Sequence, residues 1–360
     1  MKLNEPITLR SAEIRNRVWL PPMCQYKCEN QDGLPGDWHM VHYGARAAGG
    51  FGLIVAEATG VTPEGRISPY CAGLWNDEQQ EAWARIVRFV HTRGATMGIQ
   101  LNHAGRKGSS YPMLPSFAGR RSVPLSDGGW ETVAPSPVAA HGHEQPRELS
   151  TEEVRAVPRA FADAARRAVA AGFDLVEIHA AHGYLLHQFL SPLSNERSDE
   201  YGGSRENRAR LLLEVVEAVR GAIPETMPLS VRISATEWLD PEGWKLEDTE
   251  WVAGELKARG VDLIDVSSGG NAKAKVPVGP GYQVELGAAV REASGLSTAV
   301  VGLITEAEQA EAIVEAGQAD AVMIGRAALR NAEWALDALA QLGASGEELP
   351  YPDSYFRGWA

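Results

Sequence analysis

The 360-residue sequence predicts an α/β protein, a (β/α)8 TIM barrel, and three observations predict it. Eight short runs rich in β-branched and aliphatic residues recur along the chain, each trailed by an amphipathic segment, as βα units around a parallel sheet require. Eight is the number of strands that closes such a sheet. The rival architecture, a doubly wound sheet with a nucleotide crevice, lacks its glycine fingerprint: the turn behind the first run reads PPMCQY.

An N-terminal hairpin precedes the runs, which occupy 18–20, 51–56, 96–101, 173–179, 228–233, 261–266, 298–302 and 320–325. Helices are expected over 76–94, 150–172, 206–222, 246–260 and 306–317. The second opens on Ser150 with Glu153 three residues on, a capping box, and stops at Gly172. Pro158 inside it predicts a kink. Two stretches break the repeat. Residues 102–148 are rich in Gly, Pro and Ser and follow the third strand, so they read as a lid-like capping insertion over the mouth. The tail 350–360 is too aromatic for a disordered end and too short for a helix, which implies docking on another subunit. With 44% hydrophobic residues the chain can bury one large core, and residues 1–360 are expected to form a single barrel domain.

Charge and cysteine content narrow the function classes. The formal net charge is −13 and no stretch gathers basic residues into a face, which argues against nucleic acid as a partner. No apolar run approaches the ~20 residues that cross a bilayer. Three cysteines cannot make a complete disulfide framework and the N-terminus lacks a signal-peptide core, so a reducing cytoplasm is expected. Cys24 and Cys28 lack the further ligands that a structural zinc needs.

Side chains just beyond the strand ends line a barrel's mouth. They are Met23, Cys24 and Tyr26, then Glu57 and Ala58, Gln100 to His103, His179, His182 and Tyr184, Arg232, Ser267 and Ser268, Gly302, and Gly325 with Arg326. Glycines ending the last two strands, with Arg326 beside them, suit a phosphate held by backbone N–H groups and a guanidinium.

The stretch HAAHGY, 179–184, admits three readings. A metal would need a third ligand, and His103 and Glu57 form no recognised spacing with the pair. Core packing would require two satisfied histidines at one strand end. Catalysis fits more of the pattern: two neutral imidazoles can hold a carbonyl oxygen, each donor contributing ~10²–10³ in rate, and a protonated tyrosine can act as acid toward the adjacent carbon. That chemistry needs an electron source, which a phosphate-bearing redox cofactor supplies.

The motifs PPMCQY, EATGVTPEGRI, IQLNHAGRK, HAAHGYLLHQFLSPLSNERSDEYGGSRENR, VRIS, VGLIT and MIGRAAL together resemble the Old Yellow Enzyme family of FMN-containing ene-reductases. Cys24 with Tyr26, the doubled histidine and the tail YFRGW resemble its bacterial branch typified by YqjM and xenobiotic reductase A. The resemblance implies non-covalent FMN, with NADPH as reductant. Pro22, Met23, Cys24 and Ala58 would lie along the flavin, Gln100 and Arg232 would bond its pyrimidine edge, and Gly302, Gly325 and Arg326 would hold its phosphate. It implies that His179 and His182 hold the substrate oxygen, that Tyr184 protonates Cα, and that Tyr26 adds a hydrogen bond. Cys24 would tune the flavin, and Lys107 would stand near cofactor and substrate. Arg357 would reach a neighbouring subunit's site in a homodimer or dimer-based tetramer. Asn102 and Gly60 depart from the usual pattern. The expected activity is ping-pong reduction of activated alkenes, small molecules whose C=C bond is conjugated to a carbonyl or nitro group. The rival readings are a cofactor-free lyase or isomerase acting on a sugar phosphate, a non-catalytic flavin binder and a metal hydrolase.

Overall fold

A computed structural model describes residues 1–359. Strands β1 (Ile7–Leu9) and β2 (Ala12–Ile14) form the antiparallel hairpin, with Leu9 opposite Ala12. Eight parallel strands then close a barrel: β3 (Val18–Leu20), β4 (Leu53–Gly60), β5 (Thr96–Asn102), β8 (Leu175–Ala180), β9 (Leu229–Ser234), β10 (Leu263–Ser267), β11 (Ser297–Val300) and β12 (Ala321–Met323), with β12 pairing back onto β3. All eight runs read from the sequence are barrel strands. Two-residue strands β6 (Val133–Ala134) and β7 (Arg147–Glu148) pair within the long third-strand connection.

The outer ring is built from α1 (Asp37–Ala48), α2 (Asp77–His91), α3 (Thr151–Ala171), α4 (Leu185–Leu190), α5 (Arg205–Arg220), α6 (Leu246–Ala258), α7 (Val284–Ser294), α8 (Ala307–Glu315), α9 (Arg326–Arg330) and α10 (Trp334–Gln341). Helix α3 shows the expected capping: the Ser150 hydroxyl accepts from the Glu153 N–H, Glu153 reaches back to the Ser150 N–H at 2.8 Å, and Gly172 ends the helix with φ 90°. It runs through Pro158 unbroken. The tail differs from its expectation, because Phe356–Trp359 forms a helical turn, α11, with Trp359 stacked on Tyr351. One turn suffices where an aromatic pair supplies the packing that length cannot.

Strand alternation divides the side chains between two cores. From β8, Val176, Ile178 and Ala180 face outward into the layer beneath the helices, while Leu175 enters the barrel. The barrel's amino-terminal end is filled by Trp19, Leu53, Val55, Leu175, Leu263 and Met323, capped by Leu9 and Ile14 from the hairpin. Above this apolar plug the inward positions turn polar: Gln100, Glu177, Ser230, Arg232 and Asp265, then His179 and Ser267. A polarity gradient therefore runs along the axis toward the carboxyl ends of the strands. Among the described residues no helix is long and apolar enough to cross a membrane.

Candidate active site

His179 ends the inward row of β8, and His182 and Tyr184 follow it in the turn that starts α4. The His179 ring lies 5.2 Å from that of His182 and 4.9 Å from that of Tyr184, edge-on to both. Nδ1 of His179 accepts the Ala181 N–H at 3.2 Å, which leaves its Nε2–H free to donate. Nε2 of His182 lies 2.7 Å from the Ser267 hydroxyl. Burial, with the charge of Arg232 second, holds both imidazoles well below their usual pKa, so they are neutral near pH 7. Burial likewise raises Tyr184 and keeps its proton in place.

The turn that carries them is strained and supported. His182 has φ 57°, a left-handed backbone that a non-glycine residue adopts only when its surroundings impose it. Its N–H donates to Ser234 Oγ at 2.9 Å. Gly183 is required next: a Cβ there would stand 2.6 Å from the Asn271 Cα and the Gly270 oxygen. Beneath the turn, His187 Nδ1 accepts the Gly183 N–H at 2.9 Å and its Nε2 lies 3.3 Å from Glu237. Although burial opposes the charge of Glu237, the bond to His187 holds its carboxyl low, at about 2. Gln188 bonds the Gly183 and Ala104 carbonyls.

Across the mouth, Cys24, Tyr26 and Tyr184 pack against one apolar group made of Ala58, Ile67, Cys71 and Ala104. Tyr26 also stands in the left-handed region, with φ 55°. Glu57 faces away from this group. It accepts the Gln25 N–H at 3.0 Å and lies 3.1 Å from His39, so it braces the loop of Cys24 and Tyr26 from behind. His103 is buried, with Nδ1 accepting the Gly105 N–H. Among the described residues no group of three His, Cys, Asp or Glu side chains is arranged to hold a metal ion.

A cavity of about 250 Å³ is lined by Pro22, Met23, Arg232, Gly302, Gly325 and Arg326, with Ser267 and Gln283. Thus six residues expected at the cofactor share one space. Gly302 has φ 137°, and a Cβ there would come within 3.1 Å of Gln283 and Tyr282 at the cavity wall. Gln100 donates to Glu177 at 2.9 Å, which leaves its carbonyl oxygen for a donor at the mouth. Arg232 Nε lies 3.0 Å from Asp265, and its Nη groups bond no described residue. These features fit a flavin mononucleotide: an imide edge meets an acceptor and a cation, and an anion meets glycine backbone and Arg326.

Arg357 stands apart. Its guanidinium lies over its own Phe356 ring, and the segment leading to it, 350–354, packs by Arg15, Thr92 and Arg93 at the amino-terminal end of the barrel. Lys107 joins the mouth, where its ammonium donates to the His182 carbonyl at 2.8 Å. A second cavity, about 570 Å³, opens from Tyr26, Lys107 and Tyr184 outward along residues 110–121 to His143.

The sequence reading missed the supports. Glu177 is held between Gln100 and Ser230, and burial plus the charge of Asp265 pushes its carboxyl up to about 8. Asp265, His187 and Glu237 were equally unremarked. Their signal was present: Glu177 and Asp265 are acids at inward positions of otherwise aliphatic strands, which calls for a buried partner.

A model of the NADH:flavin oxidoreductase / NADH oxidase family matches residues 2–343. NADPH dehydrogenase of Geobacillus thermodenitrificans is 44% identical over 99% of this chain and 98% of its own. That of Listeria monocytogenes is 45% identical over 99% of both chains. Among solved structures, morphinone reductase in complex with tetrahydroNAD aligns with TM-score 0.77 and 30% identity, covering 100% of this chain and 97% of the other. An old yellow enzyme homologue from Zymomonas mobilis aligns with TM-score 0.79 and 29% identity, over 98% and 97%.

Proposed function

The chain belongs to the NADH:flavin oxidoreductase / NADH oxidase family, and from that premise we propose that it reduces the C=C bond of α,β-unsaturated carbonyl or nitro compounds. It is an FMN-dependent oxidoreductase that takes its electrons from a nicotinamide, NADPH in its named relatives. Bound FMN would supply the hydride chemistry, passing to the alkene β-carbon electrons received from NADPH in a separate, ping-pong half-reaction.

The observation that carries the reading is the trio His179, His182 and Tyr184, two neutral imidazoles and a protonated phenol edge-on within 5.2 Å. His179 Nε2–H and an N–H of His182 bind the substrate oxygen and stabilise the charge that grows on it. Tyr184 then gives its proton to Cα, and Tyr26 bonds the substrate from the opposite wall. Gln100 and Arg232 would hold the flavin's pyrimidine edge, Pro22, Met23, Cys24 and Ala58 would line its ring, and Gly302, Gly325 and Arg326 would hold its phosphate.

Cys24 with Tyr26, the paired histidines and the YFRGW tail support a place in the YqjM-like branch. On this reading Arg357, remote from the mouth of its own chain, enters the site of a second subunit in a dimer. The 102–148 segment caps the single barrel domain, and three free thiols suit a reducing cytoplasm.

The test is anaerobic spectroscopy of the purified yellow protein. NADPH should bleach the flavin and cyclohexenone should restore its colour. Bleaching without recovery in cyclohexenone or a nitroalkene would defeat the proposal, and a colourless protein that releases no flavin would favour the lyase or isomerase.

A further inference from the structure

The larger cavity carries features that the alkene chemistry does not use. At its inner end stand Tyr26 and Tyr184, and at its outer end Arg120, Arg121 and His143. Between them the rings of Tyr111 and Phe117 stack at 5.4 Å and 24°, with the Arg120 guanidinium 5.2 Å over Tyr111. Arg121 lies against Gly142, whose Cβ, if present, would stand 3.3 Å from the arginine Cγ. Neither guanidinium pairs with a carboxylate within 4.0 Å among the described residues. The Tyr111 hydroxyl donates to Asp127 at 3.3 Å.

Two guanidinium groups at one end of a cavity run against a chain whose formal net charge is −13. Such a molecule repels an anionic dinucleotide unless a local basic patch receives it. The sequence offers no glycine fingerprint to seat a pyrophosphate on a helix terminus, so recognition falls to side chains. Guanidinium forks suit a phosphate dianion, and an aromatic slab beside them suits a purine.

We propose that Arg120 and Arg121, with the Tyr111–Phe117 slab, form the subsite for the adenosine 2′-phosphate end of NADPH. The nicotinamide then lies inward beside Tyr184, and the dinucleotide runs outward along the cavity. The inference rests on the proposed use of NADPH at this mouth. It assigns the preference for NADPH over NADH to residues 120 and 121.

Two measurements on the FMN-loaded protein test it. In the first, adenosine 2′,5′-bisphosphate and 5′-AMP are titrated against the oxidised enzyme, and only the bisphosphate should compete with NADPH at low concentration. In the second, anaerobic flavin reduction is followed for the R120A/R121A double variant. The apparent Kd for NADPH should rise roughly 10- to 100-fold, as expected on losing charge-assisted bonds to one phosphate, and that for NADH should stay within about 2-fold. R120K/R121K should recover part of the NADPH affinity. Equal weakening for both nucleotides, no weakening, or an effect confined to an unsaturated carboxylate substrate would each overturn the subsite. Reoxidation of dithionite-reduced enzyme by cyclohexenone is read separately. If it fails, the ene-reductase reading falls, while the bisphosphate titration still decides the subsite.

Discussion

At the scale of single residues, the site works by keeping protons where they are. His179 and His182 are neutral because burial and Arg232 make an added charge costly, and Tyr184 retains its proton for the same reason of burial. Tyr184→Phe should therefore slow enone reduction by roughly 10²–10⁴ while flavin reduction by NADPH changes little. Stopped-flow rates of the two halves check this, and equal slowing would remove Tyr184 as the acid. Behind the trio, Glu237 fixes His187 and through it the Gly183 N–H. Glu237→Gln should loosen the His182 turn, weakening cyclohexenone binding by about 10-fold, near the net loss of one charged hydrogen bond, with flavin content unchanged. The trio was legible in the sequence because strand-end histidines and a tyrosine are rare neighbours. Glu177 and Asp265 were not, because a lone acid within an aliphatic run does not say which partner the barrel will bring to it.

At the scale of elements, the strands were legible and several helices were not. A parallel strand buried on both faces reads as an unbroken aliphatic run, which is hard to miss. Helices α1, α4, α7, α9 and α10 escaped because each is short or mixes apolar and polar residues without a clear stripe, and only the barrel wall selects its buried face. Where a helix carries its own signal the structure follows it, as in α3. Ser150→Ala should cost about 1 kcal/mol through loss of the bond to the Glu153 N–H, measurable by urea unfolding. The barrel plug should be far less tolerant. Trp19 is fully buried and donates to the Asn16 carbonyl at 3.0 Å, so Trp19→Ala should cost ~3–5 kcal/mol. A loss under about 1 kcal/mol, the usual range of a surface change, would mean that the plug is not what holds the barrel's lower half.

At the scale of the whole molecule, buried histidines set the response to acid. Burial lowers His42 to about 3 and His103 to about 4, and holds His179 and His182 well below their usual range. Below pH ~6.5 the unfolded chain takes up protons at these four that the folded one refuses, so stability is present above that pH and is lost as pH falls. Glu177, Asp265 and Glu214, raised by burial, and His91, raised by Asp174, act in the opposite sense, but His143, also lowered by burial, makes the first group the larger. The melting temperature should therefore fall from pH 6.5 to pH 4.5, by the equivalent of about 1.4 kcal/mol per pH unit for each net proton. A rise over that range would contradict the neutral histidines. The architecture also constrains traffic. Leu9, Ile14 and Trp19 fill the amino-terminal end of the barrel, which leaves the mouth at the carboxyl ends of the strands for ligands to enter and leave. On the proposed ping-pong reading donor and acceptor take turns at that mouth, so a surplus of either holds off the other. Plotted against rising NADPH at fixed enone, turnover should climb, crest and decline.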